Sequence, residues 1–279
     1  MIRLLAVDID GTLLNSRAQL PDAHREALVE AVAAGVEVAL VTGRSFHFTR
    51  PIADLLPIPL TLIVNNGALV KTKDGDTLVR HVVERDVARQ VLQATRTLED
   101  SVALVFDRPD ERQIVFERMD WSHPHRRGYY EKNKAFITRV PPPLHAMLDG
   151  DDPVQVMFNG SVAPMRSLVD ALRALPVADR MSVAITEYEL RDFSLVDVNG
   201  PGCSKGTTLA QWIAARGWTR DEVAAFGDNL NDVDMLDFAG RAFVMGNAAD
   251  VVKARGYTVT GTHDEGGLAT AVRSCLQCR

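Results

Sequence analysis

The sequence predicts an α/β fold in two parts, a doubly wound parallel sheet interrupted by an inserted α+β domain. Three observations predict it. The runs at 2–8, 36–43 and 60–67 are apolar without alternation, as in strands covered on both faces. Helix-length segments separate them, which calls for right-handed crossovers between parallel strands. A central stretch of roughly 84–188 changes texture before the first pattern returns.

The elements follow in order. IRLLAVD at 2–8 reads as a buried strand. A helix over about 22–34 has Pro21 near its start, apolar Leu28, Val29 and Val32, and Gly35 as its stop. VEVALVTG and LTLIVNNG are the second and third strands. In the middle, SVALVFD, QIVFE, PVQVMFNG and MSVAITEY read as strands, and 87–98 and 163–175 as amphipathic helices. Strands that follow each other without a helix between them favour antiparallel pairing. The piece at 118–143, with Pro, His and aromatic residues, reads as irregular. After about 190 the parallel pattern resumes with FSLVDV, a helix at about 205–216, EVAAFGDN, RAFVMGN and YTVTG. The domains are therefore 1–83 with 189–279, and 84–188.

With 279 residues, 46% apolar and 24% charged, the chain has ordinary globular composition. A net charge of −6 disfavours nucleic acid and anionic membranes as partners. No leader or membrane-length apolar run is apparent, so a cytoplasmic location is expected. Three cysteines make no disulfide framework, and Cys275-x-x-Cys278 lacks the second pair that a zinc site needs.

In doubly wound sheets, function collects at the carboxyl ends of strands. Four such ends are polar here: Asp8-Ile9-Asp10-Gly11-Thr12, Thr42-Gly43-Arg44, Asn65-Asn66-Gly67, and Gly227-Asp228-Asn229-Leu230-Asn231-Asp232. Lys205 opens a helix. Asp8, Asp10, Asp228 and Asp232 crowd carboxylates together, which calls for a hard cation, and oxygen ligands without His or Cys point to Mg²⁺. Lys205, the Thr42 hydroxyl and backbone N–H groups supply donors for an anion, naturally a phosphate. One carboxylate can then be a nucleophile and a neighbour a general acid. Two simpler motifs fail. A calcium loop from Asp8 needs Gly where Leu13 stands, and a P-loop needs Gly where Ser204 stands.

The same residues resemble the four motifs of the haloacid dehalogenase-like hydrolases. The place of the insertion, with Met245-Gly246-Asn247-Ala248 and the run from Asp264 to Ala269, resembles the Cof-type branch with its α/β (IIB) cap. The resemblance implies a Rossmann-like core and a Mg²⁺-dependent phosphatase acting on small phosphate monoesters, such as sugar phosphates. Asp8 would attack phosphorus, and Asp10 would protonate the leaving alcohol and then activate water. Asp8, the main-chain carbonyl of Asp10, and Asp228 would hold the metal, with Asp232 orienting that site. Ile9 through its N–H, Thr42, Gly43, Lys205 and Asn231 would hold the phosphoryl oxygens. A phosphomutase and a non-catalytic phosphometabolite binder would use many of the same residues. Asp10 argues against dehalogenation, and against mere binding. In the cap, 120–130 reads as an exposed loop with a few aromatic anchors ahead of a specificity loop, and His123 with His125 lacks a third metal ligand.

Overall fold

The computed structural model describes residues 1–109 and 112–277. The chain enters with β1 (Leu4–Val7), α1 (Asp22–Ala33), β2 (Glu37–Val41), α2 (Phe46–Ala53) and β3 (Thr61–Val64). Strands β4 (Leu69–Thr72) and β5 (Thr77–Arg80) follow. Next come α3 (Arg85–Ala94), β6 (Val102–Val105), β7 (Ile114–Phe116), α4 (Pro124–Asn133), β8 (Ile137–Arg139), β9 (Gln155–Gly160), α5 (Val162–Arg173), β10 (Ser182–Tyr188) and β11 (Phe193–Asn199). The chain closes with α6 (Lys205–Ala214), β12 (Val223–Gly227), α7 (Val233–Phe238), β13 (Arg241–Val244), α8 (Asp250–Lys253), β14 (Thr258–Val259) and α9 (Gly267–Gln277).

Two compact units result, Met1–Val79 with Ser204–Arg279, and Arg80–Cys203. The first holds an eight-stranded sheet in the order β14-β13-β12-β1-β2-β3-β4-β5. From β14 to β3 every neighbouring pair is parallel, and β4 turns back antiparallel to β3. The order reverses at β1, whose neighbours are β2 and β12, so this is the doubly wound arrangement the apolar runs predict. The central strands are fully buried, as continuous apolar runs require. Helix α1 buries His24, Ala27, Leu28 and Ala31 along one stripe, and α9 packs on it.

The second unit is a six-stranded sheet, β10-β11-β9-β6-β7-β8. Its core lies on one face, where Val156, Phe158, Val196 and Val198 meet Val87 and Val91 of α3 and Leu168 and Leu172 of α5. The pairs β10–β11, β11–β9, β9–β6 and β6–β7 are antiparallel.

Two expectations are corrected here. FSLVDV, read as a return to the parallel sheet, is β11, an interior strand of the second sheet between β10 and β9. A short apolar run reads the same whichever sheet covers it. The piece at 118–143 is not irregular. It contains α4 and β8, and Arg126 of α4 is buried. That side chain donates to Asn159 Oδ1, to Ser101 Oγ and to the Asp120 carbonyl, and pairs with the Asp120 carboxylate at 3.1 Å. An apolar-periodicity argument cannot see a helix anchored by a buried guanidinium. The aromatic anchors are present, with Phe116, Trp121 and Tyr130 packed edge to face. His123 and His125 pack against Phe193 with their rings tilted to it. Cys275 is buried on α9, and Cys278 lies outside the described residues. Among the described residues, no helix is long and apolar enough to cross a membrane.

Candidate active site

The parallel register lines up the carboxyl ends of β13, β12, β1, β2 and β3 as neighbours. Each chemistry-bearing segment begins one residue past a strand: Asp8 after Val7, Thr42 after Val41, Asn65 after Val64, and Asp228 after Gly227. Asp8 continues the ladder, with its N–H donating to the Phe226 carbonyl at 3.0 Å. Thr42 does the same toward Ile63 at 2.9 Å.

Lys205 is the first residue of α6, whose N-cap Ser204 accepts from the Thr207 N–H. Its side chain is buried, and Nζ donates to Asp8 Oδ1 at 2.7 Å and to Asp232 Oδ1 at 2.6 Å. Asp232 ends a single 3₁₀ turn, Leu230–Asp232, closed by a reciprocal capping box with Asn229. Its second oxygen accepts from the N–H groups of Asp228 and Asn229, each at 3.0 Å. Asp232 thus ties Lys205 to the loop that carries Asp228.

Oxygens of Asp8, Asp228 and Asp232 all lie within 4.8 Å of one another. Three carboxylates face a single ammonium, and the electrostatics register the imbalance. Burial, reinforced by Asp232, pushes the Asp8 carboxyl up to about 7 against the pull of Lys205. Burial and then Asp8 raise Asp228 well above the usual carboxylate range. Burial pulls Lys205 down, but Asp232 and then Asp8 outweigh it, and its ammonium is held above the usual lysine range. Asp228 Oδ1 is buried with no hydrogen-bond partner among the described residues. A buried carboxylate oxygen without a partner, in an all-oxygen acidic group, is the donor set a hard divalent cation takes.

Asp10 stands apart from this group. Both of its oxygens accept from Arg44, Oδ2 from Nε and Oδ1 from the terminal nitrogen, each at 2.6 Å. The sequence singled out Thr42-Gly43-Arg44 but gave the arginine no task. Ile9 is fully buried between the two aspartates. Gly11 has φ +84°, and a Cβ there would lie 2.1 Å from Asp228 Oδ2. Glycine is required at this point for the turn and for the close approach together.

Asn231 donates its amide to Asn66 Oδ1 at 3.0 Å. Asn66 sits in the left-handed region at φ 52° and hands its N–H to the Thr42 carbonyl at 3.0 Å. A Cβ on Gly43 would meet Asn66 Oδ1 at 3.1 Å, so Thr42, Gly43, Asn66 and Asn231 form one packed patch. Gly67 completes the turn at φ +97°, with the Ser204 carbonyl 2.3 Å from where its Cβ would be. We expect Gly67→Ala to destabilise the protein by about 2–4 kcal/mol, the sum of left-handed strain and overpacking. Urea denaturation checks this, and an unchanged midpoint would mean that the turn relaxes freely.

Two residues to which the sequence reading assigns no task, Asn247 of the Met245–Ala248 run and His263, also converge here. Asn247, just past β13, donates to the Gly11 carbonyl at 2.9 Å and lies 3.4 Å from Asp228 Oδ2. His263 Nδ1 donates to the same Gly11 carbonyl at 3.2 Å.

The chain is similar to several known proteins across nearly its whole length. It is 30% identical to the pyridoxal phosphate phosphatase YbhA of Escherichia coli, over 98% of each chain. It is 27% identical to the 5-amino-6-(5-phospho-D-ribitylamino)uracil phosphatase YcsE of Bacillus subtilis, over 98% of this chain and 95% of that one. A solved phosphatase of the haloalkanoate superfamily from Bacteroides thetaiotaomicron shares the fold. It matches with a TM-score of 0.80 at 24% identity, over 98% of this chain and 95% of that one. Residues 5–272 match the family model described as haloacid dehalogenase-like hydrolase, and with its strand-end acids and buried lysine assembled as above the chain belongs to that family.

Proposed function

We propose that this hydrolase is a phosphatase of small phosphate monoesters, working with Mg²⁺ through an aspartyl-phosphate on Asp8. The observation that carries the reading is the buried Asp8–Lys205–Asp232 chain beside Asp228, whose Oδ1 has no partner among the described residues. The two curated relatives above are named for activity on small phosphorylated compounds, which supports phosphosugars or similar metabolites as the substrate class.

In this reading Lys205, the Thr42 hydroxyl, Asn231, and the main-chain N–H groups of Ile9 and Gly43 hold the phosphoryl oxygens. Fixed donors of this kind stabilise the charge that spreads over a transferring phosphoryl group. The Asp8 carboxylate attacks phosphorus, the P–O ester bond breaks, and Asp10 gives its proton to the departing alkoxide. Asp10, now ionised, takes a proton from water as that water attacks phosphorus, releasing inorganic phosphate and free Asp8. Arg44 holds both oxygens of Asp10 in its fork, so the Asp10 side chain must leave that fork to reach the departing oxygen. Asp8, Asp228 and the main-chain carbonyl of Asp10 would hold Mg²⁺, with Asp232 orienting the site, and the ion would supply positive charge to keep Asp8 ionised and to stabilise the phosphoryl oxygens.

Release of inorganic phosphate from a panel of phosphorylated metabolites tests the reading. We expect turnover on at least one member, a fall of about 10²-fold or more in EDTA, and recovery on adding Mg²⁺. Full activity in chelator would exclude the metal role. Transfer of the phosphoryl group back to substrate, without free phosphate, would make the protein a phosphomutase instead.

A further inference from the structure

We infer that Asn247 is a positioning residue for the metal site: its amide holds one oxygen of Asp228 and so leaves the other, Oδ1, to the cation. The inference rests on the reading of Asp8 and Asp228 as metal ligands. It assigns a task to a residue outside the four strand-end motifs.

The orientation of the Asn247 amide is fixed by its neighbours. Its Oδ1 accepts from the main-chain N–H of His263 at 2.9 Å, a group that can only donate. Its Nδ2 donates to the main-chain carbonyl of Gly11 at 2.9 Å, a group that can only accept. The amide cannot be flipped without breaking both bonds, so the side presented to Asp228 carries N–H. That nitrogen lies 3.4 Å from Asp228 Oδ2. The two oxygens of Asp228 are therefore not equivalent. Oδ2 lies against Gly11 and faces the Asn247 donor, whereas Oδ1 is buried without a partner among the described residues.

Ligand carboxylates are commonly oriented by a hydrogen bond to the oxygen that does not bind. Here one side chain does this while tying together three segments that meet at the carboxyl edge of the sheet. They are the turn after β1, the loop after β12 and the loop after β14. Asn247 itself projects from just past β13, the strand next to β12.

His263 supplies the control. It donates to the same Gly11 carbonyl through Nδ1. Its contact with Asn247 runs through its main chain. His263→Ala therefore loosens the Gly11 turn and leaves the Asn247–Asp228 contact in place.

The test is calorimetric titration of the metal-free full chain with Mn²⁺ and with Mg²⁺, beside thermal melts with and without each ion. We expect Asn247→Ala to weaken cation binding about 10- to 100-fold and to lose most of the ion-induced melting shift. We expect His263→Ala to bind within about twofold of the original chain. If Asn247→Ala does not fold, Asn247→Ser, which keeps a polar group but shortens the donor, is judged by the same criteria. Unchanged binding in the Asn247 variant would overturn the inference, as would an equal loss in His263→Ala, which would put the effect in the Gly11 turn. An original chain that binds neither ion would overturn the metal reading itself, a different and separately visible result.

Discussion

Asp8→Asn is expected to abolish turnover, by on the order of 10⁴-fold or more, while leaving the fold intact and the metal-free protein no less stable. The loss follows from chemistry. An amide nitrogen or oxygen at this position cannot attack phosphorus and then leave as a carboxylate, so the two-step path through Asp8 closes. The preserved stability follows from electrostatics. Asp8 is buried among Asp228 and Asp232, with Lys205 as the cation in direct contact, and burial together with Asp232 disfavours its ionised form. Neutralising it removes like-charge repulsion and keeps an oxygen to accept from Lys205. The melting temperature without metal should rise, by about 2–4 °C for each kcal/mol of repulsion relieved. Phosphate-release kinetics and melts in chelator read the two halves separately. Turnover at the original rate would remove Asp8 as the nucleophile. Lost turnover with a collapsed fold would mean that the ionised carboxylate is structural, contrary to the charge argument.

All but one of the parts of this site that the sequence made legible share one property: each follows a strand that announces itself. Val7-Asp8, Val41-Thr42 and Gly227-Asp228 are each an apolar run ending in a polar residue, and a parallel sheet must collect such ends on one edge. Lys205 was legible for a different reason, as a lysine opening a helix after a Gly- and Ser-containing turn. What remained hidden depends on which strand lies beside which. The grip of Asn247 and His263 on the Gly11 carbonyl joins residues 236 and 252 positions apart, and no local pattern encodes it. The same holds for Arg44 and Asp10, 34 positions apart. In the fold, β11 was misplaced because Phe193–Asn199 is an interior strand of an antiparallel sheet, and its apolar run looks like that of a parallel strand. Helix α4 was missed because a buried Arg126 anchors it in place of an apolar stripe.

Lys205→Met is expected to cost both stability and activity, and the two losses should come apart on a second substitution. Methionine keeps an unbranched apolar stem in the buried channel and removes the ammonium that bridges Asp8 at 2.7 Å and Asp232 at 2.6 Å. Breaking a buried ion pair by deleting one partner leaves the other charge uncompensated, at about 3–5 kcal/mol. Urea denaturation in chelator should read a destabilisation of that size. Turnover should fall by about 10²–10³-fold from the missing donor to the phosphoryl group alone. Adding Asp232→Asn to Lys205→Met then separates the roles. The amide oxygen of residue 232 can still accept from the N–H groups of Asp228 and Asn229, so the 3₁₀ turn keeps its cap while one stranded charge disappears. The double variant should therefore recover part of the lost stability and none of the lost turnover. Such non-additivity is expected of residues in one charged network. If Lys205→Met were as stable as the original chain, the contacts of Lys205 with Asp8 and Asp232 would not be what holds the metal-free site together. If the double variant regained turnover, Lys205 would be serving Asp232 and not the phosphoryl group.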